Sequence, residues 1–190
     1  MTSTTALPAG SAPVSPVSAH RHAVGAGLTH RTVDSPVGPL LLAATPAGLV
    51  RVAFAREDHD AVLSRLTSQL GGRSEGAPGR LDAAARQLDE YFAGRRRSFD
   101  LAVDLPFTHG FRRTVLAHLR GVTFGATTTY GAVAAAVGRP GAGRAVGSAC
   151  ATNPLPVVIP CHRVVRGDGV IGEFLGGTEA KRALLALEAA

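Results

Sequence analysis

The sequence predicts an α+β protein in two parts. The first, residues 29–105, is a small N-terminal α/β domain with antiparallel strands. The second, residues 106–190, is mainly helical, with a helix-turn-helix and a candidate active-site loop. Three observations carry this reading. Leu40-Leu41-Leu42-Ala43 and the run Leu49 to Phe54 are strand-like, joined by Thr45-Pro46-Ala47-Gly48, a hairpin-turn composition. From Pro106 onward the texture changes to short helical segments separated by Gly and Pro. One of only two cysteines stands in Pro160-Cys161-His162-Arg163-Val164, directly behind the apolar run Leu155 to Ile159.

Residues 1–28 precede both parts. They are rich in Ala, Ser, Pro, Thr and Gly, hold no acidic residue, and carry Pro8, Pro13 and Pro16, which break any apolar secretory core. A disordered tail is the expectation. After the hairpin, Val62, Leu66 and Leu70 recur at helical spacing, and so do Leu81, Ala84, Leu88 and Phe92. The glycine-bounded stretch 71–79 reads as a flexible connection. Phe99, Leu101, Val103 and Leu105 alternate with polar or small residues, as on a half-buried strand. No recognisable chemistry falls in this half, so it reads as structural support. In the second part, Phe111–Leu119, Tyr130–Val137 and Gly143–Ala151 are helical. They are stopped in turn by Gly121 to Gly125, Gly138-Arg139-Pro140 and Asn153-Pro154. Two short helices around a Gly-containing turn have the outline of a helix-turn-helix. A helix over Lys181–Glu188 closes the chain.

A length of 190 residues allows one large or two small domains with a real core. The absence of a long uninterrupted apolar span argues for a soluble protein; a cytoplasmic location and no membrane partner are the expectation. The formal net charge is +6, and every basic residue except Lys181 is an arginine. That balance favours a polyanionic partner, because each neutralised phosphate releases counterions. Two cysteines cannot build a disulfide framework or a four-ligand zinc site, and the seven histidines form no tight ligand cluster. No metal is expected.

A thiol attacks only as thiolate, so it needs a base or a positive neighbour to shed its proton near neutral pH. His162 and Arg163 offer both beside Cys161. The helix that precedes this loop is built from small residues: Gly143, Ala145, Gly147, Ser148, Ala149 and Ala151, with Arg144 its one large side chain. Such a helix either packs closely against a neighbour or presents a smooth face to a narrow DNA groove, with one cation projecting.

The chain carries Tyr130-Gly131, Gly143-Arg144-Ala145-Val146-Gly147, Asn153-Pro154, the Cys161 pentapeptide, Gly169-Val170-Ile171-Gly172, Gly176-Gly177 and the closing helix. In that order and spacing, residues 31–188 resemble the O6-alkylguanine-DNA alkyltransferase family, suicide repair proteins that strip alkyl groups from guanine. The resemblance implies a site, residue by residue. Cys161 would accept the alkyl group, activated by a Glu-His-water-Cys relay through Glu188 and His162. Glu188 alone reads as a solvated carboxylate near a helix end. Tyr130 would donate toward guanine N3. Asn153 would brace the turn, a reading compatible with its being a helix C-cap. Arg144 would fill the gap left by a flipped nucleotide, with Ala145, Gly147, Ser148 and Ala151 on the same minor-groove helix. Pro156 and Gly172 would shape the pocket. The backbone of Val164, with that of Cys161, would accept from the guanine amine, and the backbone N–H of Leu175 would face O6.

Departures from the family pattern are Phe174 where it usually has tyrosine, Arg112 after Phe111 where glutamine is common, and Leu116 in place of a tryptophan. Cys150 reads as a small packing residue. The expectation is therefore a monomeric DNA repair protein without cofactor, acting on double-stranded DNA that contains O6-alkylguanine. It would act more weakly on O4-alkylthymine. Two rivals stand beside it. A non-catalytic lesion sensor would lack the acceptor cysteine, and a Cys-His hydrolase would need an oxyanion hole and a path for water.

Overall fold

The computed structural model describes residues 27–190 apart from Ala77; the tail expected over 1–28 lies almost wholly outside the described residues. The first half is a four-stranded sheet in the order β3-β2-β1-β4. β1 (Leu28–Val33), β2 (Leu40–Thr45) and β3 (Gly48–Phe54) form an antiparallel meander. α1 (His59–Leu70) and α2 (Pro78–Phe92) flank β4 (Ser74–Gly76) in the chain and cover opposite faces of the sheet.

The two faces explain the sequence of β2. Leu41 and Ala43 pack with Val62 and Leu66 of α1. Leu40, Leu42 and Ala44 join Leu81, Leu88 and Tyr91 of α2 on the other side. A strand covered on both faces has no solvent side, so it reads as a continuous apolar run rather than an alternation. Gly48, with φ of +149°, permits a close approach that closes the hairpin: a Cβ there would lie 2.5 Å from the carbonyl oxygen of Ala102.

Two expectations are corrected. The stretch 71–79 is not simply a connection, because β4 pairs in parallel with the β1 edge and the Ser74 hydroxyl lies 2.7 Å from Nδ1 of His30. An open sheet edge presents unpaired N–H and C=O groups that a short strand satisfies. Conversely, Phe99–Leu105 forms no strand. Only Val103 bridges to Leu49, through Leu49 N–H donating to Ala102 O and Asp104 N–H donating to Leu49 O. Farther along β3, Val52 N–H donates instead to Pro154 O of the second half. The edge was already taken. The alternation correctly reported which side chains face the core, since Leu105 is buried and Phe99, Leu101 and Val103 pack against it; it carried no information about backbone pairing.

The second half holds α3 (Gly110–Leu119), α4 (Tyr130–Ala136), α5 (Gly143–Ala151) and α6 (Gly177–Ala189). A two-residue parallel pairing joins β5 (Thr128–Thr129) to β6 (Val164–Val165). Thr129 caps α4, its hydroxyl accepting from Ala132 N–H. α4 and α5 pack as the expected helix pair, with Gly143 at the start of α5 against the Tyr130–Gly131 backbone of α4. The core is continuous across the halves, running from Leu42 and Leu88 through Leu116 and Val146 to Ile159 and Cys161. No helix among the described residues is long and apolar enough to cross a membrane.

Candidate active site

The loop after α5 is built around a buried asparagine. Asn153 is fully buried. Its Nδ2 donates to Ile159 O at 2.9 Å and to Cys161 Sγ at 3.1 Å, while its Oδ1 accepts from Leu155 N–H at 3.0 Å. The helix cap itself falls one residue earlier, on Thr152, whose hydroxyl donates back to Ser148 O. Between these contacts Val157 takes φ of +72°, a left-handed conformation costly for a β-branched residue. Ile159 N–H donating to Leu155 O and the burial of Val157 hold it there.

Cys161 opens a 3-10 turn, Cys161–Arg163, and is 2% exposed. Burial pushes its thiol up to about 11; the Asn153 amide and the charge of Lys181 pull the other way. Both favour the thiolate, the amide by donating to sulfur and the ammonium by its field. Lys181 is itself buried on α6 and donates from Nζ to Val164 O at 2.6 Å. Cys150 is buried in the core, and burial pushes its thiol up to about 12.

Glu188, far from solvated, is buried with five donors on its carboxylate. Oε1 accepts from Tyr91 Oη at 2.7 Å and from His162 Nε2 and Arg163 Nη2, each at 2.8 Å. Oε2 accepts from Arg163 Nε at 2.8 Å and Gly125 N–H at 3.2 Å. Burial alone would raise this carboxyl. The bonds from His162, Arg163 and Tyr91 outweigh it and hold the group well below the usual carboxylate range. An ionised carboxylate has no proton to donate, so His162 presents Nε2–H to it and carries its lone pair on Nδ1. That Nδ1 is buried and has no hydrogen-bond partner among the described residues. Burial pushes the imidazole below its ordinary value, against the pull of Glu188. Arg163, read from the sequence as a positive neighbour of the thiol, is committed instead to Glu188 and to Val122 O.

Around the thiol, Pro156 and Val164 are buried. Tyr130 is half-buried at the start of α4, its ring against α5: a Cβ on Gly147 would lie 3.8 Å from Tyr130 Cε1. Gly172, at φ of +71°, stands across from the hydroxyl, where a Cβ would lie 3.4 Å from Tyr130 Oη. Phe174 packs edge-on to Phe54 of β3 with ring centroids 5.4 Å apart, and its ring lies 6.3 Å from that of His162. Leu175 lines a separate cleft of about 530 Å³ between the halves, together with Arg51, Arg112 and Thr152. On α5, Arg144, Ala145, Ser148 and Ala151 are exposed and Gly147 is partly so, while Val146, Ala149 and Cys150 face the core. The exposed face is smooth except for one cation.

Sequence reasoning missed Tyr91, the Arg163 grip and Lys181. Tyr91 sits in register with Leu81, Ala84 and Leu88 on the buried face of α2. The available signal was its hydroxyl, since a buried tyrosine needs a polar partner. Lys181 is the single lysine of an arginine-rich chain.

Fold and site define a class: a two-domain protein with a buried thiol, a neighbouring histidine–glutamate pair and an exposed small-residue helix beside them. Two family models match, the ribonuclease-like domain of 6-O-methylguanine DNA methyltransferase over residues 28–105 and its DNA-binding domain over residues 110–190. A methylated-DNA–protein-cysteine methyltransferase of Mycobacterium tuberculosis is 38% identical over 159 residues, 84% of this chain and 91% of the relative. One of Mus musculus is 38% identical over 173 residues, 85% of this chain and 81% of the relative. Among solved structures, the Mycobacterium tuberculosis O6-methylguanine methyltransferase aligns with a TM-score of 0.74 at 36% identity, covering 85% of this chain and 93% of that one. The Mycobacterium tuberculosis OGT in complex with DNA aligns with a TM-score of 0.72 at 34% identity, covering 86% and 92%. The chain belongs to the 6-O-methylguanine DNA methyltransferase family.

Proposed function

We propose that the protein repairs DNA by moving the alkyl group of O6-alkylguanine, and more weakly of O4-alkylthymine, onto Sγ of Cys161. One observation supports this most strongly: Cys161 and His162 are adjacent, buried and separately braced, the sulfur by Asn153 and the imidazole by Glu188. The tautomer that Glu188 imposes leaves Nδ1 of His162 able to take the thiol proton, through one bridging water as in the relay that the family resemblance implies. The sulfur then forms a bond to the alkyl carbon as the carbon–O6 bond breaks. Its electrons leave on guanine O6, and the thiol proton ends on the released base. Tyr130 donates toward N3 and so eases departure of the guanine. Pro156, Gly172 and Phe174 shape the pocket, while the backbone groups of Cys161, Val164 and Leu175 read the base.

A stacked base cannot reach a thiol that is 2% exposed, so the lesion must leave the duplex first. The exposed face of α5 suits the minor groove, and Arg144 occupies the gap left in the stack. The thiol is itself the acceptor, so neither metal nor organic cofactor is needed as a carrier. One chain holds every group named, which fits a monomer acting on cytoplasmic DNA. The test is incubation with duplex DNA carrying O6-methylguanine, followed by peptide mass spectrometry. One methyl on the Cys161 peptide is expected. A methyl on Cys150, binding without transfer, or repeated hydrolysis of an ester would instead support other chemistry.

A further inference from the structure

We infer that Tyr91, reaching the site from α2 of the sheet domain, is a positioning residue whose hydroxyl sets how strongly Glu188 holds His162. The inference rests on the alkyl-transfer reading above. Of the five donors on Glu188, four come from the helical domain: His162 Nε2, two nitrogens of Arg163 and Gly125 N–H. Tyr91 is the fifth and the one contributed by the other domain. Its ring is wholly buried among Phe92, Phe99 and Phe124, at centroid distances of 5.3, 5.3 and 6.0 Å. Phenylalanine would satisfy that aromatic packing. What tyrosine adds is an O–H aimed at the same Oε1 that accepts from His162.

Sharing matters electrostatically. Each donor on Oε1 draws negative charge away from the others, so the Tyr91 bond weakens the pull of Glu188 on a protonated imidazole. The Tyr91 oxygen also lies 3.5 Å from His162 Nε2, at the outer limit of a hydrogen bond and too far to compensate strongly. The charged and titratable groups that face His162 are Glu188 and Lys181 on α6, Arg163 and Cys161 on its own turn, and Tyr91 on α2. Among these, Tyr91 stays protonated and carries no net charge, and its O–H is bonded to Glu188, so its influence runs mainly through that carboxylate. It helps keep His162 neutral, the form able to accept a proton.

The test compares the full chain with Tyr91→Phe. NMR follows the His162 ring through pH, its signal identified by its absence in His162→Asn. In Tyr91→Phe the midpoint should rise by about half to one pH unit, in line with loss of one bond to the paired carboxylate. The acid limb of Cys161 alkylation by free O6-benzylguanine should move upward with it. If Tyr91→Phe folds poorly, 3,5-difluorotyrosine at position 91 supplies the opposite perturbation. As a stronger donor it should lower the midpoint. A lower melting temperature with the His162 midpoint and acid limb unmoved would overturn the inference and leave Tyr91 a packing residue. Failure of the unmodified protein to alkylate Cys161 would refute the proposed function instead, while the His162 titration would still judge Tyr91.

Discussion

At the scale of single residues, the chemistry turns on groups held away from their solution behaviour. Burial pushes the Cys161 thiol up to about 11, against about 8.5 for a thiol in an open chain. Its folded value is raised, so the stability it contributes is fully present below pH 8.5 and lost as pH rises toward 11. The loss amounts to about 3 kcal/mol at most, by conversion of that difference. Chemical denaturation at pH 8 and pH 10.5 should therefore show a smaller alkaline loss for Cys161→Ala than for the parent chain. Equal losses would mean that the thiol does not remain protonated in the fold. The same variant should transfer no alkyl group yet still bind duplex DNA, because the exposed face of α5 does not include the sulfur. Glu188 behaves in the opposite sense. Its folded value is depressed, so its contribution is present above the ordinary carboxyl range and disappears only in strong acid.

At the scale of elements, α5 and the loop before α6 divide the work. Arg144 is exposed on α5, and extrusion of a base from duplex DNA is the step that would need it. Arg144→Ala should slow repair of O6-methylguanine in duplex DNA much more than dealkylation of free O6-benzylguanine, which requires no flipping. Equal losses in the two rate measurements would assign the arginine to packing or to the pocket. The loop after Gly172 is fitted to β3: a Cβ on Gly176 would lie 2.7 Å from the ring of Phe54, which is itself buried and edge-on to Phe174. Gly176→Ala should then cost about 1–3 kcal/mol through overpacking and displace Phe174. Denaturant melts of the single variant and of the double variant with Phe54→Leu provide the check. The smaller side chain should recover part of the loss, and additive effects would show that the two positions do not meet.

At the scale of the whole molecule, a used site should be a weakened site. A thioether is a poor leaving group, and the other thiol, Cys150, is buried and pushed up to about 12, which keeps it protonated and a weak nucleophile. One alkyl group per protein is therefore the expected stoichiometry when lesion is titrated against protein. A methyl added to the sulfur of a residue that is only 2% exposed must crowd the packed atoms around it, at about 1–3 kcal/mol. The capped sulfur also accepts less well from Asn153 Nδ2, which lies in a fully buried setting. The alkylated protein should melt earlier than the free form and release DNA more readily. More than one group removed per molecule would reject single turnover; an unchanged melting temperature would reject the strain argument alone. The continuous core provides the route for such damage, since Cys161 and Ile159 belong to the same packed cluster as Leu42 and Leu88 of the sheet domain.

Read by itself, the chain already determined its local character. Apolar runs around a turn composition marked β2 and β3, and helical spacing marked the buried faces of α1 and α2. Gly and Pro punctuation set the ends of α3, α4 and α5, and Cys161-His162 stood out by position. These are short-range properties, governed by backbone preference and by which side chains avoid water. The tertiary structure alone decided pairing. Phe99 to Leu105 alternated like a strand but found the β3 edge occupied by Pro154, while Ser74–Gly76 found an open edge and used it. Glu188 resembled any exposed carboxylate until five donors, from residues as distant as Tyr91 and Gly125, converged on it. Nothing local to Tyr91 or Glu188 announces that bond, because it joins residues 97 positions apart in the chain and exists only once the two domains have folded together.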